Sequence, residues 1–530
     1  MRKKQFHSFN MRPLHRGLII ACTLFFTSLA SFSQTVFQKS YSNVGYEKGT
    51  CVVKTTDGGY LEGGTTSTSN FGLTDFYLIK TDFAGNMLWS KAYGGTVSEY
   101  LASVIQTSDG GYMMCGTTFS FNTQPYGNIY LIKTDANGTI TWQRHYGGTE
   151  YDFGSSIKQT TDGGYIVGGL TSSATAGYND YYIMKIDALG VQQWGTAIGG
   201  IYQDEGYSVL QTEDGSYAIA GKSNSFNGGQ DIMLCKLNAA GTLLWTKSYG
   251  VGPGSSSYLC NVLRQTADEG FVMVGYTDAM GAGLQDVLVV KTDSAGVHQW
   301  TKTYGGTSGD FGNDIRETFS GGFVIAANTT SFGAGNSDAY VINTDVSGNV
   351  IWSVCYGDTA FDGASSIDQT ADGGYIIGGQ TSATGSSNAD FYLIKTDPSG
   401  FTGCNEMNVI TIVTSLPTIT TVNTPVLSPF TSSGTANATT VPGGTATTLC
   451  TTVGVSEVIA NDNMISFYPN PANEFILFSE AGNNIEIINM LGEIVISISE
   501  PVTSVSIKEL SEGIYFIRTE GSVAMFVIKR

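Results

Sequence analysis

Carboxylates at one recurrent place are the residues of this chain best suited to chemistry. Glu47, Glu99, Asp152, Asp204, Asp310 and Asp362 each stand six residues after the tyrosine position of a "YGGT"-like loop. A further copy, "YGVGPGSSSYLC", is longer and offers Ser255 or Tyr258 instead. Acids repeated in this way have three uses. They can cap the backbone amides of their own loops. They can converge on Ca²⁺, which takes several oxygen ligands, or on cationic or hydroxyl groups of a surface ligand. A pair can act as acid and base on a glycosidic bond, but that needs two differing pKa values, which near-identical environments do not supply. Capping is the expected role, with ligand binding as the alternative. No resident cofactor is expected beyond an optional Ca²⁺.

A second acidic series comprises Asp75, Asp180, Asp231, Asp286, Asp338 and Asp390, with Asn128 in the remaining copy. Five residues later stands Lys80, Lys133, Lys185, Lys236, Lys291 or Lys395, with Asn343 as the exception. An offset of five places the two on opposite faces of a strand, so any pairing must be between strands. Past the leader only His145 and His298 are available for imidazole chemistry, and both read as ordinary strand residues. There is no HExxH, GxSxG or phosphate loop.

The elements that must position these residues come from a repeat. "TDGGY" and its variants end at Tyr60, Tyr112, Tyr165, Tyr217, Phe271, Phe323 and Tyr375, which makes seven copies. Each copy reads as four short strands around Asp-Gly-Gly hairpin turns, the pattern of a β-propeller blade. A second phrase puts Gly four residues before Trp89, Trp142, Trp194, Trp245, Trp300 and Trp352, which are all the tryptophans of the chain. These phrases resemble the tryptophan-docking repeats of quinoprotein-like propellers. That resemblance implies indoles packed between adjacent blades, although the turn is one residue shorter than that family's. Without an adjacent cysteine pair or a cofactor set, quinone-dependent oxidation is not expected. The seventh copy lacks a Trp strand, whereas "TVFQKSY" before the first copy matches "MLWSKAY", with Phe37 at the position of Trp89. A first strand that completes the last blade predicts a closed seven-bladed ring over residues 34–404.

The remaining segments concern export. Residues 1–33 have a basic start and a short apolar run, as in a cleaved signal peptide. The formal charge is −19, and losing the leader's five basic residues takes it to −24, which disfavours nucleic acid and anionic membrane as partners. No transmembrane segment is expected in the mature chain. Cys51, Cys115, Cys235, Cys260 and Cys355 fall in strand-like runs as small apolar fillers, while Cys404 and Cys450 bracket a Thr-rich stretch and are candidates for a disulfide. Residues 405–463 read as a Thr/Ser-rich linker.

Residues 464–530 alternate apolar strands with turns, as in a small β-sandwich. Tyr468, Pro469, Asn470, Pro471, Gly492, Gly513, Tyr515, Lys529 and Arg530 give this segment a close resemblance to the type A C-terminal sorting domain of the type IX secretion system of Bacteroidetes-like bacteria. The resemblance implies an address read by that machinery and a secreted or cell-surface destination. The whole is expected to be all-β: a seven-bladed propeller that binds a glycan or surface protein, followed by a sorting sandwich. The alternatives are a polysaccharide-active enzyme and a passive scaffold.

Overall fold

The computed structural model describes residues 35–416 apart from short loop stretches at 43–44, 68–71, 122–124, 174–177, 226–228, 251–256 and 383–387. Beyond 416 it describes separate strands and turns, and in 417–474 the backbone alone. The leader, Pro469, Asn470, Pro471, Gly492, Lys529 and Arg530 lie outside the described residues. Two compact units emerge, Gln34–Gly454 and Val455–Arg530.

In the first unit the chain forms repeated four-stranded antiparallel sheets of the kind that make propeller blades. The first sheet is Glu47–Lys54, Tyr60–Thr66, Asp75–Thr81 and Met87–Gly94, each strand paired with the next. Five more follow in order, with first strands Glu99–Gln106, Asp152–Gln159, Asp204–Gln211, Tyr258–Gln265 and Asp310–Glu317. In the seventh, Asp362–Gln369, Tyr375–Thr381 and Asp390–Lys395 are joined by Thr35–Ser42 from the other end of the chain, with Phe37 opposite Lys395. The second and third strands of every sheet are almost wholly buried, which explains their continuous apolar runs.

The repeated "DGGY" phrase is a turn with a buried counter-ion. Gly58 takes φ 84°, which glycine reaches without steric cost. Asp57 accepts from Gly59 N at 3.0 Å and from Thr55 Oγ1 at 2.5 Å. Its other oxygen lies 2.8 Å from Lys80 Nζ, whose side chain is only 3% exposed. The same pair recurs as Lys133–Asp109, Lys185–Asp162, Lys236–Asp214, Lys291–Asp268 and Lys395–Asp372. In the sixth sheet both partners are replaced together: Ser320 stands for the aspartate and bonds Thr318, while Asn343 stands for the lysine and bonds Tyr375. A buried ammonium without its carboxylate would be costly, so the two positions change as a unit.

Successive sheets dock through aromatic rings. Each tryptophan faces the aromatic residue that ends the next "DGGY" phrase: Trp89–Tyr112, Trp142–Tyr165, Trp194–Tyr217, Trp245–Phe271, Trp300–Phe323 and Trp352–Tyr375, with ring centroids 5.5 to 6.5 Å apart. Phe37 in the seventh sheet faces Tyr60 of the first at 6.4 Å. Beside six of the seven rings a tyrosine hydroxyl donates to the turn glycine carbonyl of the following sheet, as Tyr93 does to Gly138 at 2.8 Å and Tyr41 to Gly85 at 2.6 Å, while beside Trp194 the Thr196 hydroxyl donates to Gly241 O at 2.9 Å. Those glycines cannot carry a side chain. A Cβ on Gly241, at φ 80°, would lie 2.5 Å from the Trp194 ring.

Residues 406–453 add short strands to outer edges. Glu406–Asn408 pairs with the fourth strand of the sixth sheet, Ile412–Leu416 with that of the fifth, and Val426–Leu427 with that of the third. Ser433–Thr435 and Thr439–Pro442 continue onto the second and first sheets, and Thr445–Val453 pairs with Thr35–Ser42. The segment thus covers edges that would otherwise present unpaired backbone groups. Cys404 is disulfide-bonded, and Gln38 donates to its carbonyl. Cys450 lies opposite Gln38 in the backbone register, though its side chain is outside the described residues. The other five described cysteines are free.

The second unit contains a three-stranded sheet built on Phe467–Tyr468, Phe475–Gly482 and Val502–Ser506, and a four-stranded sheet in which Ile485–Asn489, Ile494–Ile498, Gly513–Arg518 and Val523–Ile528 pair. Ile476, Phe478, Ile487, Val505, Tyr515, Ile517 and Ile528 form one apolar cluster between these strands. Tyr515 is buried and its hydroxyl donates to the Ser511 carbonyl at 3.1 Å.

Deleting Thr35–Ser42 removes the fourth strand and the docking ring of the seventh sheet. The expected outcome is aggregation or a fall in Tm of more than about 10 °C. Circular dichroism melts and size-exclusion chromatography of the truncated and intact mature chains check it.

Candidate functional site

The six carboxylates of the "YGGT" loops open the first strands, and all are at most 2% exposed. Each is engaged by its own turn, by residues at the end of the next strand, or by both. Glu99 accepts from Thr118 Oγ1 at 2.7 Å and from Gly95 N at 2.8 Å. Asp152 accepts from Thr171, Ser173 and Gly148 N, and Asp204 from Ser223, Ser225 and Gly200 N. Asp310 takes Ser331 and Gly306 N, Asp362 takes Asp358 N, and Glu47 takes Thr66. Their backbone amides reach the preceding sheet, as Glu99 N donates to Thr74 O and Glu47 N to Ala389 O, both at 2.8 Å. Tyr258 occupies the seventh such position, donating its backbone N–H to Gln230 O at 3.0 Å.

The second acidic series meets the first at these junctions. A Cβ added to Gly94 would lie 1.4 Å from Asp75 Oδ1 and 2.7 Å from Glu99 Oε2, so both carboxyls converge on the space that glycine leaves. Gly199 is flanked in the same way by Asp180 and Asp204, Gly305 by Asp286 and Asp310, and Gly357 by Asp338 and Asp362. Two buried carboxylates cannot both ionise at such a distance. Burial first, then the hydrogen bond and charge of Glu99, holds the Asp75 carboxyl well above the usual range. Burial and the Asp204 charge push Asp180 up to about 7, and burial, with Asp362 adding to it, pushes Asp338 up to about 6. Among the described residues, no group of three or more His, Cys, Asp or Glu side chains is placed to hold a metal ion.

A cavity of about 520 Å³ lies elsewhere, where the first strands of all seven sheets meet. None of the six capping acids lines it. Six of the seven strands place the same register in its wall, as Val53, Ile105, Lys158, Arg264, Arg316 and Asp368, whereas Leu210, at that register of the fourth sheet, packs in an apolar cluster. Lys54 and Asp314 complete its charged lining. Arg264 Nη2 is 2.7 Å and Arg316 Nη2 3.6 Å from the Asp314 carboxylate, and Lys54 Nζ is 3.2 Å from Asp368. Burial and then the Arg264 and Arg316 charges push the Lys158 ammonium down to about 7. Polar neighbours tie the strands together, as Asn261 donates to Gly312 O, Asn313 to Ala364 O and Ser365 to Gly49 O.

These cavity residues escape notice in the linear sequence because no motif contains them and each stands in a strand otherwise like its neighbours. Superposing the seven first strands by register exposes them. His145, stacked on Phe121, and His298, bonded to Thr301, are both away from the cavity.

The fold defines an all-β repeat protein, and its last segment supplies the destination. Residues 466–529 match the secretion system C-terminal sorting domain, Por_Secre_tail. The chain is therefore exported by type IX secretion to the cell surface or extracellular space. Regulatory protein FlaEY of Caulobacter vibrioides is 24% identical over 207 residues, covering 32% of this chain and 22% of that relative. The match thus spans under a quarter of the curated relative's length. Solved structures that the chain matches include a protein of unknown function from Dyadobacter fermentans, at 9% identity over 68% of this chain and 98% of that one, TM-score 0.38. They also include PorZ, a surface component of the type-IX secretion system of Porphyromonas gingivalis, at 12% identity over 89% and 69%, TM-score 0.35. Among the described residues no helix is long and apolar enough to cross a membrane.

The junction acids make stability depend on pH. Asp180 and Asp338 hold protons in the folded chain that the unfolded chain releases near pH 4, so their contribution falls as pH rises from there through about 7 and about 6. The turn aspartates act oppositely. Burial works against Asp109, but Thr107, Lys133 and Gly111 N outweigh it and bring it to about 2, so that contribution is lost only in strong acid. Stability should peak at about pH 4 to 5 and decline towards pH 8. Asp180→Asn, copying Asn128 at the equivalent position, should flatten the decline and add on the order of 1 kcal/mol at pH 8. Urea titrations across pH measure both.

Proposed function

We propose that the repeated sheets are the blades of a closed seven-bladed β-propeller over residues 34–404, and that the C-terminal sheets form the sorting sandwich. On this reading the protein is a surface-displayed binding module whose ligand, a glycan or a surface protein, enters the central channel. One observation carries it: the repeat holds its turns, docking rings and junction acids nearly constant, yet one register of the first strands runs Val53, Ile105, Lys158, Leu210, Arg264, Arg316, Asp368, and all of these but Leu210 line the cavity. A purely structural ring has no need of four different charged residues there. The contacts of Phe37 with Tyr60 and of Ser365 with Gly49 support closure between the last blade and the first.

Catalysis on polysaccharide is less well supported. The paired acids that such chemistry requires are sealed at blade junctions, at most 2% exposed, and the first-strand member of each pair already has its donors in place. The same donors favour bracing over calcium binding for Glu47, Glu99, Asp152, Asp204, Asp310 and Asp362.

The mature chain, screened against glycans and envelope or matrix proteins with calcium and with chelator, is expected to bind selectively and equally in both. Its Tm should not change on chelation. Loss of binding and of Tm with chelator would return the acids to a metal-binding role, and release of oligosaccharide products would favour the enzyme reading.

A further inference from the structure

The channel's charge is out of keeping with the rest of the chain. The whole sequence carries −19, yet the cavity wall presents Lys54, Lys158, Arg264 and Arg316 against two carboxylates, Asp314 and Asp368. The carboxylates do not neutralise this set. Asp314 serves both guanidinium groups, at 2.7 and 3.6 Å, while also accepting from Ser366 Oγ, Ile315 N and Ile367 N. Its acceptor capacity is therefore in use. Arg264 Nε is buried with no hydrogen-bond partner, and among the described residues Lys158 forms no salt bridge. Asp368 is taken by Lys54, which also donates to the Gln369 carbonyl.

Three of these charges need not be there for folding. At the register of Lys158, Arg264 and Arg316 the first, second and fourth sheets carry Val53, Ile105 and Leu210, so apolar side chains fit the same strand position. Clustered cations inside a low-dielectric wall repel one another, and an anion between them offsets that repulsion. Guanidinium forks suit the paired oxygens of carboxylate, sulfate or phosphate. A cavity of about 520 Å³ admits such a group together with one or two sugar rings.

We propose that the central channel is an oxyanion site in which Lys158, Arg264 and Arg316 hold the carboxylate or sulfate of an acidic glycan. This deepens the binding-module reading and rests on it. Asp314 holds both guanidinium groups at one carboxylate, and Lys158, in a salt bridge with no described residue and disfavoured as an ammonium by burial and the neighbouring arginines, is the group whose charged form a bound anion would favour. Ligands reach the site against the repulsion of an acidic surface, so binding should strengthen as salt screens that surface at low concentration and weaken once salt screens the site itself.

The test uses the full mature chain and calorimetric titration with inorganic sulfate, galacturonate oligosaccharides, sulfated oligosaccharides and neutral oligosaccharides of equal length. Acidic oligosaccharides are expected to bind, with sulfate competing. Tighter binding of the oligosaccharide than of sulfate identifies a glycan terminus, and equal binding identifies a free anion, the same chemistry from the other source. Lys158→Leu, copying Leu210, should lower affinity about tenfold while leaving the ligand-free Tm equal or higher. Lys158→Gln, should the leucine variant misfold, must show the same loss. Binding of acidic ligands that neither variant alters overturns the assignment. Binding of neutral glycans or of a protein alone, with anions silent, overturns it while leaving the binding-module reading intact. Silence of a folded chain towards every ligand here overturns the oxyanion site, and silence in the glycan and protein screen as well overturns both.

Discussion

Everything in the larger unit depends on how one sheet meets the next. The contact is an aromatic ring from a fourth strand laid against the ring that ends the neighbouring "DGGY" turn, with a tyrosine hydroxyl donating to a glycine carbonyl beside it. Neither sheet alone buries its face, so stability is shared among neighbours, as in other repeat proteins. The two repeated phrases are halves of this contact. Glycine recurs near each ring because a Cβ would strike it, and the turn aspartate recurs because a buried lysine needs a partner.

Much of this was legible from the amino acids. The period, the four strands, the missing last strand with its counterpart at Phe37, and the sorting tail all follow from repetition and alternation. The lysine partners were not legible, because an offset of five within one strand conceals a partner 22 to 24 residues back in the hairpin turn. The six capping acids were visible as a series, but whether they faced the channel was not. That depends on which side of the strand entrance they take, and their threonine and serine donors lie 19 and 21 residues further on. The channel charges were hidden because no motif contains them and only a comparison of registers separates Lys158 from Leu210.

The junction carboxyls and the outer strands show two other ways the repeated sheets manage their polar groups. Acids from neighbouring sheets meet where glycine leaves room, and burial keeps protons on groups such as Asp180. This suits a protein held together in mildly acidic surroundings better than in alkaline ones. Outside, the stretch after Cys404 supplies short strands to six of the seven sheets among the described residues, covering backbone that an exported protein would otherwise offer to aggregation.

Hydrogen–deuterium exchange read by mass spectrometry on the mature chain tests the central claim most directly. If the N-terminal strand completes the last sheet and docks on the first, the amides of Thr35–Ser42 should exchange as slowly as those of Asp390–Lys395, through global unfolding. Rapid exchange of Thr35–Ser42 with Asp390–Lys395 still protected would contradict the account, leaving the sheets as an open stack whose two ends do not meet.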